Sequence, residues 1–310
     1  MTRPLLVIVG PTCSGKTALA VAVAQRLAPA ELVSADSRQV RSTLRVGTCA
    51  PTAAELDGVR CNLLDLCDPG DVFTVADWLA AARPCLERLE RESALAVVVG
   101  GTGLYVTALV DGFDLAGVPP DPARRAARTE LAVTPEGFEV LAAELRERDP
   151  AGAATIDQHN PRRVIRALEI LDARGGSILN AHRQVAARDA VMVGLDVARP
   201  IHAQWVEHRV ATMFESGGIQ DEVSWMLRLR CGRQAITRCG IGYAEALDLV
   251  EGRIDIEGAK QAALRRTLRY ARAQRTWFRR DTRLTWFRPD LVAFDQLVEG
   301  VAGMMATARA

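Results

Sequence analysis

Residues 10–17 read GPTCSGKT and directly follow the apolar run Pro4-Leu-Leu-Val-Ile-Val9. A buried strand, a glycine-rich turn and a helix in this order match the phosphate-binding loop G-x-x-x-x-G-K-[ST]. The two glycines let the backbone approach an anion, so that successive N–H groups and the N-terminus of the helix point at phosphate oxygens. Lys16 adds a cation, and the Thr17 hydroxyl can ligate Mg²⁺. The stretch predicts binding of a diphosphate or triphosphate without specifying the reaction.

Apolar strands alternate with helices through the first third of the chain. The predicted strands are 5–9, 31–35 and 94–99, and the predicted helices are 16–27, 74–91 and 103–108. This alternation indicates a parallel sheet covered on both faces, in which ligands bind at the carboxyl ends of the strands. Gly10, Asp36 and Gly100 each follow a strand end, so we expect them to converge on one crevice.

The composition changes around residues 117–122, and residues 123–185 carry no strong strand pattern. From there on we predict helices at 123–131, 136–147, 161–174 and 200–216, further helices to about 280, and strands at 191–196 and 284–287. The prediction is therefore an α/β fold with a P-loop NTPase-like parallel sheet core, residues 1–115 and 190–310, and a helical insertion domain at 116–189.

Composition excludes several classes of protein. The 310 residues are 49% hydrophobic and 25% charged, which is ordinary for a globular chain. The start at Met1 leads straight into a strand and no apolar run could span a bilayer, so we expect neither a signal peptide nor a membrane partner. The seven cysteines form no C-x-x-C pair, which argues against a zinc knuckle or a disulfide framework and favours a reducing cytoplasm.

Positive charge is unevenly distributed although the formal net charge is only +1. Residues 265–283 hold eight arginines against one acid, and Arg162, Arg163 and Arg166 form a second cluster. Such stripes can follow a nucleic-acid backbone. A solvated helix face explains the same pattern, so charge alone leaves nucleic-acid binding open.

Two acidic or glycine-rich stretches follow the second and third predicted core strands. Asp36 stands where a general base or a magnesium group would face the phosphate loop, and a helix N-cap is the equally good alternative. Gly100-Gly-Thr-Gly103 again permits close backbone approach, and the Thr102 hydroxyl can bind a phosphate or a base edge.

No Walker B acid ends a strand of its own. Asp65 and Asp68 are candidates, but the stretch 63–69 that contains them reads as a loop. A phosphate loop without this acid favours the holding of a leaving group over NTP hydrolysis.

Eight motifs then occur in order along nearly the whole chain. They are GPTCSGKT at 10–17, SADSRQV at 34–40, VGTCAP at 46–51, LDLCDP at 64–69, VVGGTGLY at 98–105, NPRRVIRALE at 160–169, GIGY at 240–243 and RYARAQRTWFRR at 269–280. Together they resemble the tRNA dimethylallyltransferase (tRNA isopentenyltransferase) family. The resemblance implies transfer of a dimethylallyl group from dimethylallyl diphosphate to N6 of the adenine just 3′ of the tRNA anticodon, with Mg²⁺. We expect the protein to be a monomer.

The resemblance also implies a set of site residues. The diphosphate site would comprise Gly10, Pro11, Thr12, Cys13, Ser14, Gly15, Lys16 and Thr17, with Thr17 as the metal ligand. The catalytic residues would be Asp36, Thr12, Thr102 and Arg209. The tRNA contacts would be Asp36, Ser37, Arg38, Gln39, Thr102, Arg125, Arg162, Arg163, Val164, Ile165 and Arg166. Asp36 would accept the N6 proton, while the helical insertion would grip the anticodon stem-loop and the target base would flip out.

Three positions in the segment 41–62 depart from the family's usual pattern. Arg41 replaces a tyrosine, Gly47-Thr-Cys-Ala-Pro51 lacks a lysine, and Arg60-Cys-Asn62 replaces Pro-His-His. Because the phosphate loop is intact, these changes bear on the acceptor more than on the reaction class.

Three other functions stay open at this point. They are a transferase acting on free AMP, ADP or ATP, as in cytokinin synthesis, a P-loop nucleotide kinase or ATPase, and a non-catalytic RNA-binding relative. The insertion and the arginine-rich C-terminal region favour tRNA, because a small nucleotide would need neither.

Overall fold

The structure is a computed structural model that describes residues 4–112, 118, 121–180 and 187–309. Its contacts divide the chain into two compact units, Met1–Val110 with Arg188–Ala310 and Asp111–Ala187, which we call the core unit and the insertion unit. The sequence placed the start of the insertion at 116, a residue that lies outside the described ones, and its end at 189.

The described part of the core unit alternates strands and helices before the insertion and is mainly helical after it. Its strands are β1 (Leu5–Val9), β2 (Ala30–Ser34), β3 (Cys61–Asn62), β4 (Leu95–Gly100), β5 (Ala190–Leu195) and β6 (Thr285–Phe287). Its helices are α1 (Lys16–Arg26), α2 (Ala53–Leu56), α3 (Val75–Arg91), α4 (Gly103–Val110), α9 (Arg199–Glu215), α10 (Gly218–Arg228), α11 (Arg233–Arg238), α12 (Tyr243–Val250), α13 (Ile256–Phe278) and α14 (Phe294–Arg309).

The six strands form one parallel sheet in the order β3-β2-β4-β1-β5-β6. β1 and β4 are central neighbours, with Leu6 beside Val97 and Val9 beside Gly100. Both strands are buried along their whole length, as in parallel sheets that are covered on both faces. The prediction of an α/β fold with a P-loop NTPase-like parallel sheet is confirmed.

One face of the sheet packs against α1 and the C-terminal helix α14. Leu19 and Val23 from α1 share an apolar core with Leu297 and Val301 from α14 and with the central strands. The sequence analysis assigned no element after residue 287, so this helix was missed although it completes the core.

A second core lies among the helices that follow β5. Val206, Phe214, Ile219 and Tyr243 are buried there with Leu44, which belongs to the segment before α2. The burial of Leu44 fixes the segment that departs from the family pattern to the C-terminal helices.

The insertion unit is helical in its described part, as the sequence predicted. Its elements are α5 (Pro122–Leu131), α6 (Pro135–Arg148), α7 (Pro150–Ala153), α8 (Pro161–Arg174) and a 3₁₀ turn (Ile178–Asn180). Asp121, Thr134 and Asn160 cap α5, α6 and α8 by accepting hydrogen bonds from the first-turn N–H groups, and a proline follows each cap. Leu141, Leu145 and Leu168 belong to its apolar core.

The described residues contain no helix that could cross a membrane. None of the helices bounded above is both long enough and apolar enough to span a bilayer.

Candidate functional site

The carboxyl ends of β1, β2 and β4 meet at one cavity of the core unit, as expected for a parallel sheet. The phosphate loop, residues 10–17, forms one wall and contributes Thr12 to Thr17 to the lining. Asp36 and Gly100 line the same cavity, so the predicted convergence of strand ends is present. Gly10 has a φ of 153°, and a Cβ at this position would lie 2.6 Å from the carbonyl oxygen of Leu195, which explains the glycine.

Two cations face this cavity. The ammonium group of Lys16 donates to the Pro11 carbonyl oxygen at 2.6 Å. Burial lowers the pKa of Lys16 to about 8, and the positive charge of Arg209 acts in the same direction, while Asp36 and Cys13 oppose it. Arg209, on α9, lines the same cavity. A buried ammonium group beside a second cation is stabilised when an anion binds between them.

The loop residues fit an anion and, with it, a metal ion. The Ser14 hydroxyl is buried and has no hydrogen-bond partner among the described residues. A bound anion could accept a hydrogen bond from it. Thr17 lines the cavity beside it. The described residues contain no group of three or more His, Cys, Asp or Glu side chains that could hold a metal ion. A divalent cation would therefore need oxygens from a bound diphosphate and water in addition to Thr17.

Asp36 lies in a turn and not at the start of a helix. Its Oδ1 accepts a hydrogen bond from the Arg38 N–H at 2.9 Å, and residues 37–40 form a turn. The N-cap alternative is therefore wrong for Asp36. Its other carboxylate oxygen has no hydrogen-bond partner among the described residues, and the side chain lines the cavity. The carboxylate is free to accept a proton or hydrogen bond from a ligand.

Thr102 fixes the turn that carries Asp36. Its hydroxyl accepts a hydrogen bond from the Ser37 N–H at 2.9 Å and contacts the Ser37 hydroxyl at 3.2 Å. Tyr270, on α13, lines the cavity beside these residues. Burial, followed by the negative charge of Asp36, raises the pKa of Tyr270 to about 12. Tyr270 is therefore neutral at physiological pH.

The facing wall of the cavity comes from the segment 36–62 and is tied down by side chains. The Gln39 amide donates to the Cys49 carbonyl oxygen at 2.8 Å and accepts from the Ser34 hydroxyl at 2.9 Å. Gln39, Thr48, Cys49, Pro51 and Cys61 line the cavity.

Glu222, on α10, clamps the same segment from outside. Its carboxylate accepts hydrogen bonds from the backbone N–H groups of Arg45, Val46 and Gly47, at 2.5, 2.7 and 3.1 Å. The Tyr243 hydroxyl donates to it at 2.8 Å. Four donors on one carboxylate make this a strong, charge-assisted anchor.

The three departures from the family pattern do not share one position in the site. Arg41 is 5% exposed and donates to the carbonyl oxygens of Asp68 and Asp71, and it does not line the cavity. Asn62 bonds Glu31 and the Leu32 carbonyl oxygen, so it ties β3 to β2. Cys49 and Cys61 do line the cavity, so the departures that bear on a ligand are these two.

The arginine stripe of α13 is partly used inside the core unit. Arg275 and Arg279 both donate to Asp196, which follows β5, and Arg266 donates to Glu245. Because Asp196 is fully engaged, it is not a free Walker B acid. Asp65 pairs with Arg45 and Asp68 accepts from the Ser42 hydroxyl, and neither of these earlier candidates lines the cavity.

The insertion unit has its own concave surface, lined by arginines from two helices. Its lining residues are Arg125, Thr129, Ala132, Asn160, Pro161, Arg162, Ile165 and Arg166. Arg125 donates to both carboxylate oxygens of Glu169, at 2.6 and 2.5 Å, and Arg166 donates to one of them at 3.1 Å. Although burial opposes ionisation, these hydrogen bonds lower the pKa of Glu169.

Not every predicted contact of the insertion unit is available to a ligand. Val164 is 0% exposed and belongs to the apolar core, so its side chain is not available at the surface of the unit, and its predicted contact with RNA stays a prediction. Ile165 is 6% exposed. The guanidinium groups of Arg162 and Arg163 form no ion pair with residues 121–180, and both residues are exposed.

Sequence reasoning missed several residues that line the main cavity, among them Met213, Ile241, Tyr270 and Gln274. The last two stand four positions apart on α13, so they share one face of that helix. Both belong to the motif at 269–280, in which only the arginines had suggested a function, namely nucleic-acid binding.

The fold and the site define a P-loop-like α/β protein whose cavity brings the loop at residues 10–17 together with the carboxylate of Asp36. A family model described as IPP transferase matches residues 39–281, and a model described as Isopentenyl transferase matches residues 4–69. The chain belongs to the IPP transferase family.

Relatives match along most of the chain. The tRNA dimethylallyltransferase of Halalkalibacterium halodurans is 36% identical over 310 residues, which cover 99% of this chain and 98% of the relative. The tRNA dimethylallyltransferase of Bifidobacterium longum (strain NCC 2705) is 37% identical over 295 residues, 93% and 87% of the two chains.

Two solved structures are similar over nearly the whole chain. The full-length tRNA isopentenylpyrophosphate transferase from Bacillus halodurans has a TM-score of 0.71 at 34% identity and covers 99% of this chain and 98% of its own. A eukaryotic dimethylallyltransferase acting on tRNA has a TM-score of 0.77 at 21% identity, covers 97% and 78% of the two chains, and supports the fold alone.

Proposed function

We propose that this protein is a tRNA prenyltransferase. It transfers a dimethylallyl group from dimethylallyl diphosphate to N6 of the adenosine that is 3′-adjacent to the anticodon. The observation that carries the proposal is the presence in one cavity of an anion loop with two cations, Lys16 and Arg209, and of the free carboxylate of Asp36. The names of the relatives, which match nearly the whole chain, support the same reaction.

The chemistry requires charge neutralisation at one end of the cavity. As the bond between the allylic carbon and the diphosphate oxygen breaks, the leaving group takes the electron pair. Lys16, Arg209 and the loop N–H groups would stabilise the negative charge that develops on it. Mg²⁺, held by Thr17 together with diphosphate oxygens, would add further positive charge at the same place. The Thr12 side chain, which also lines the cavity, would hydrogen-bond the bridging region.

At the other end the adenine must lose a proton. The N6 nitrogen forms the new bond to the allylic carbon, and Asp36 accepts the N6 proton, so that no charge accumulates on the base. Thr102, through Ser37, holds the turn in which Asp36 lies. The Arg38 and Gln39 side chains line the cavity beside Asp36 and would contact the acceptor.

We assign binding of the anticodon stem-loop to the insertion unit. Its concave surface presents Arg125, Arg162 and Arg166, and arginines fit RNA phosphates by charge and by paired N–H groups. A single-stranded loop with a flipped base is the form in which an enzyme can reach N6. We take the working protein to be a cytoplasmic monomer.

The test is an incubation with unmodified tRNA, free AMP and labelled dimethylallyl diphosphate, followed by mass spectrometry of the nucleosides. We expect label in an adenosine beside the anticodon. Label in AMP alone would replace the proposal by a free-nucleotide transferase, and ATP turnover without any prenyl donor would replace it by an ATPase.

A further inference from the structure

Gln274 is a buried polar residue that the chemistry above leaves without a role. It lies on α13 with 5% of its surface exposed, and it lines the main cavity. Burial of an amide is costly unless both its oxygen and its nitrogen are hydrogen-bonded. Both are, and the two partners belong to different loops of the site.

The amide of Gln274 bridges the phosphate loop and the second glycine-rich loop, residues 100–103. Its Oε1 accepts a hydrogen bond from the Thr12 N–H at 2.9 Å, and its Nε2 donates to the Gly101 carbonyl oxygen at 2.8 Å. A backbone N–H can only donate and a carbonyl can only accept, so the orientation of the amide is dictated by its partners.

Gly101 is shaped to this contact. A Cβ at this position would lie 2.3 Å from Nε2 of Gln274, so a larger residue would push the amide away. The close approach of side chain and backbone is the reason for glycine here, and it leaves the bridge little freedom to move.

Thr12 is held on its other side as well. Nε2 of His202, a residue that is 1% exposed, lies 2.7 Å from the Thr12 carbonyl oxygen. Burial lowers the pKa of His202, and the charges of Arg275 and Lys16 lower it further, so the ring is neutral and carries its proton on Nε2. Both backbone groups of Thr12 are thus fixed, which leaves its hydroxyl for the ligand.

We propose that Gln274 is a positioning residue that sets the separation between the leaving-group end and the base end of the cavity. Thr12 belongs to the first end, and Gly101 precedes Thr102, which holds Ser37 and the Asp36 turn. The inference rests on the proposed prenyl transfer, in which the allylic carbon must sit in line between the leaving oxygen and N6. Misplacement by about 1 Å costs such a reaction roughly 10²-fold.

The test compares Gln274→Met, which loses both hydrogen bonds, with Gln274→Glu. The matched control is the same pair of changes at Gln261, an exposed glutamine on the same helix. Measurements are the single-turnover rate of transfer to tRNA with both substrates saturating, the Kd for inorganic pyrophosphate, the melting temperature, and amide hydrogen exchange at residues 10–15 and 100–106.

For Gln274→Met we expect a transfer rate lower by roughly 10- to 100-fold. The Kd for pyrophosphate should change by less than about threefold, because the other loop N–H groups still bind it. Hydrogen exchange should speed up in both loops, while the Gln261 variants match the parent. A Gln274→Met protein with the parent rate would overturn the inference, and so would a rate loss that only follows the unfolded fraction.

Gln274→Glu adds a readout that a purely structural role would not produce. An ionised carboxylate still accepts from Thr12 but cannot donate to Gly101, whereas the protonated acid can do both. The ratio of variant to parent rate should therefore rise as pH falls through the carboxyl pKa. The other charged or titratable groups around the amide are the same in the variant and the parent, which is why the ratio of the two rates is used: Asp36, Lys16, His202, Tyr270 and the arginines 38, 209 and 275.

The two hypotheses fail in different ways. If the parent protein transfers nothing to tRNA, the proposed function is wrong, and the inference is then decided by hydrogen exchange. Unchanged exchange in both loops of Gln274→Met, or a ratio for Gln274→Glu that does not depend on pH, would remove Gln274 as the bridge.

Discussion

The two walls of the cavity are built in different ways. The phosphate-loop wall consists of eight consecutive residues that present mostly backbone groups and one ammonium group. The facing wall, residues 36–62, has almost no regular structure and is held by side chains from far along the chain, such as Glu222 and Tyr243. One wall is a local motif, and the other is assembled by tertiary contacts.

The departures from the family pattern all lie in the second wall, and none lies in the phosphate loop. A backbone-built anion site tolerates little change, because its glycines and its lysine have no substitutes, and here it is intact. A side-chain-built wall can change at positions that point away from the cavity, as Arg41 does, without altering the site. We therefore expect changes in the first wall to affect the donor, and changes in the second to affect the acceptor and stability.

The largest effect is expected at the junction of the two walls. Asp36→Asn should lower the single-turnover rate by about 10²–10⁴, because the amide keeps the shape of the side chain but cannot accept a proton. The affinity for tRNA should stay nearly unchanged. Asp65→Asn is the control, because Asp65 lies just beyond this wall, is exposed and pairs with Arg45. An Asp36→Asn protein that melts early yet transfers at the parent rate would remove Asp36 from the chemistry.

The next effect tests the phosphate-loop wall alone. Lys16→Ala should lower transfer by roughly 10²–10³, as expected for the loss of one preorganised group that stabilises developing charge. Lys260, the only other lysine, pairs with Glu215 and Glu257 and does not line the cavity, so Lys260→Ala is a matched control. Pyrophosphate affinity should fall in the first variant and not in the second. Equal behaviour of the two variants would contradict a role for Lys16 at the diphosphate.

The pH dependence should report the same lysine. The Lys16 ammonium has a pKa of about 8 in the free protein, so it is charged below pH 8 and progressively neutral above it. Use of the donor, measured as kcat/KM, should therefore fall above pH 8, by up to about tenfold per pH unit. Lys16→Arg keeps its charge over this range, and its profile should be flat there. A profile of the parent that is flat to pH 9.5 would show that the Lys16 charge is not needed.

Features built from a local motif can be predicted from the sequence, whereas features assembled by tertiary contacts cannot. The phosphate loop and the longer strands of the sheet are local patterns of glycine and apolar residues, and the sequence predicts them, but the two-residue strand β3 was missed. Gln274 and Glu222 act on residues that are 262 and about 175 positions away in the chain, and no local pattern marks such partners. The role of Asp36 at a turn was also ambiguous, because aspartate suits a helix N-cap and a free turn equally well.

Changes in the facing wall should lower the stability of the protein more than they lower its affinity for the diphosphate. Glu222→Gln places an amide NH₂ among three N–H groups and a hydroxyl donor, so part of the clamp is lost and a donor is left unsatisfied. We expect the free energy of unfolding to fall by about 1–3 kcal/mol, measured by denaturant titration, with pyrophosphate affinity unchanged. Glu87→Gln, at an exposed position of α3, should cost almost nothing. Lost pyrophosphate binding in Glu222→Gln would mean that the two walls are not independent.

The smallest effect lies outside both walls, in the insertion unit, and it separates arginines that bind a ligand from arginines that stabilise the fold. Arg125 and Arg166 are committed to Glu169, whereas the guanidinium of Arg162 forms no ion pair with residues 121–180. If Arg162 contacts a phosphate, Arg162→Ala should weaken tRNA binding a few-fold and reduce the slope of log Kd against log salt by about 1.

Arg146, on α6, is paired with Glu139 and serves as the control for that measurement. Arg146→Ala should leave the slope unchanged, because its charge is already compensated within the protein. The salt slope distinguishes the two roles better than affinity alone, since a loss of fold lowers binding at every salt concentration without changing the number of counterions released. An unchanged slope for Arg162→Ala would show that the N-terminus of α8 is not part of the RNA-binding surface of this unit.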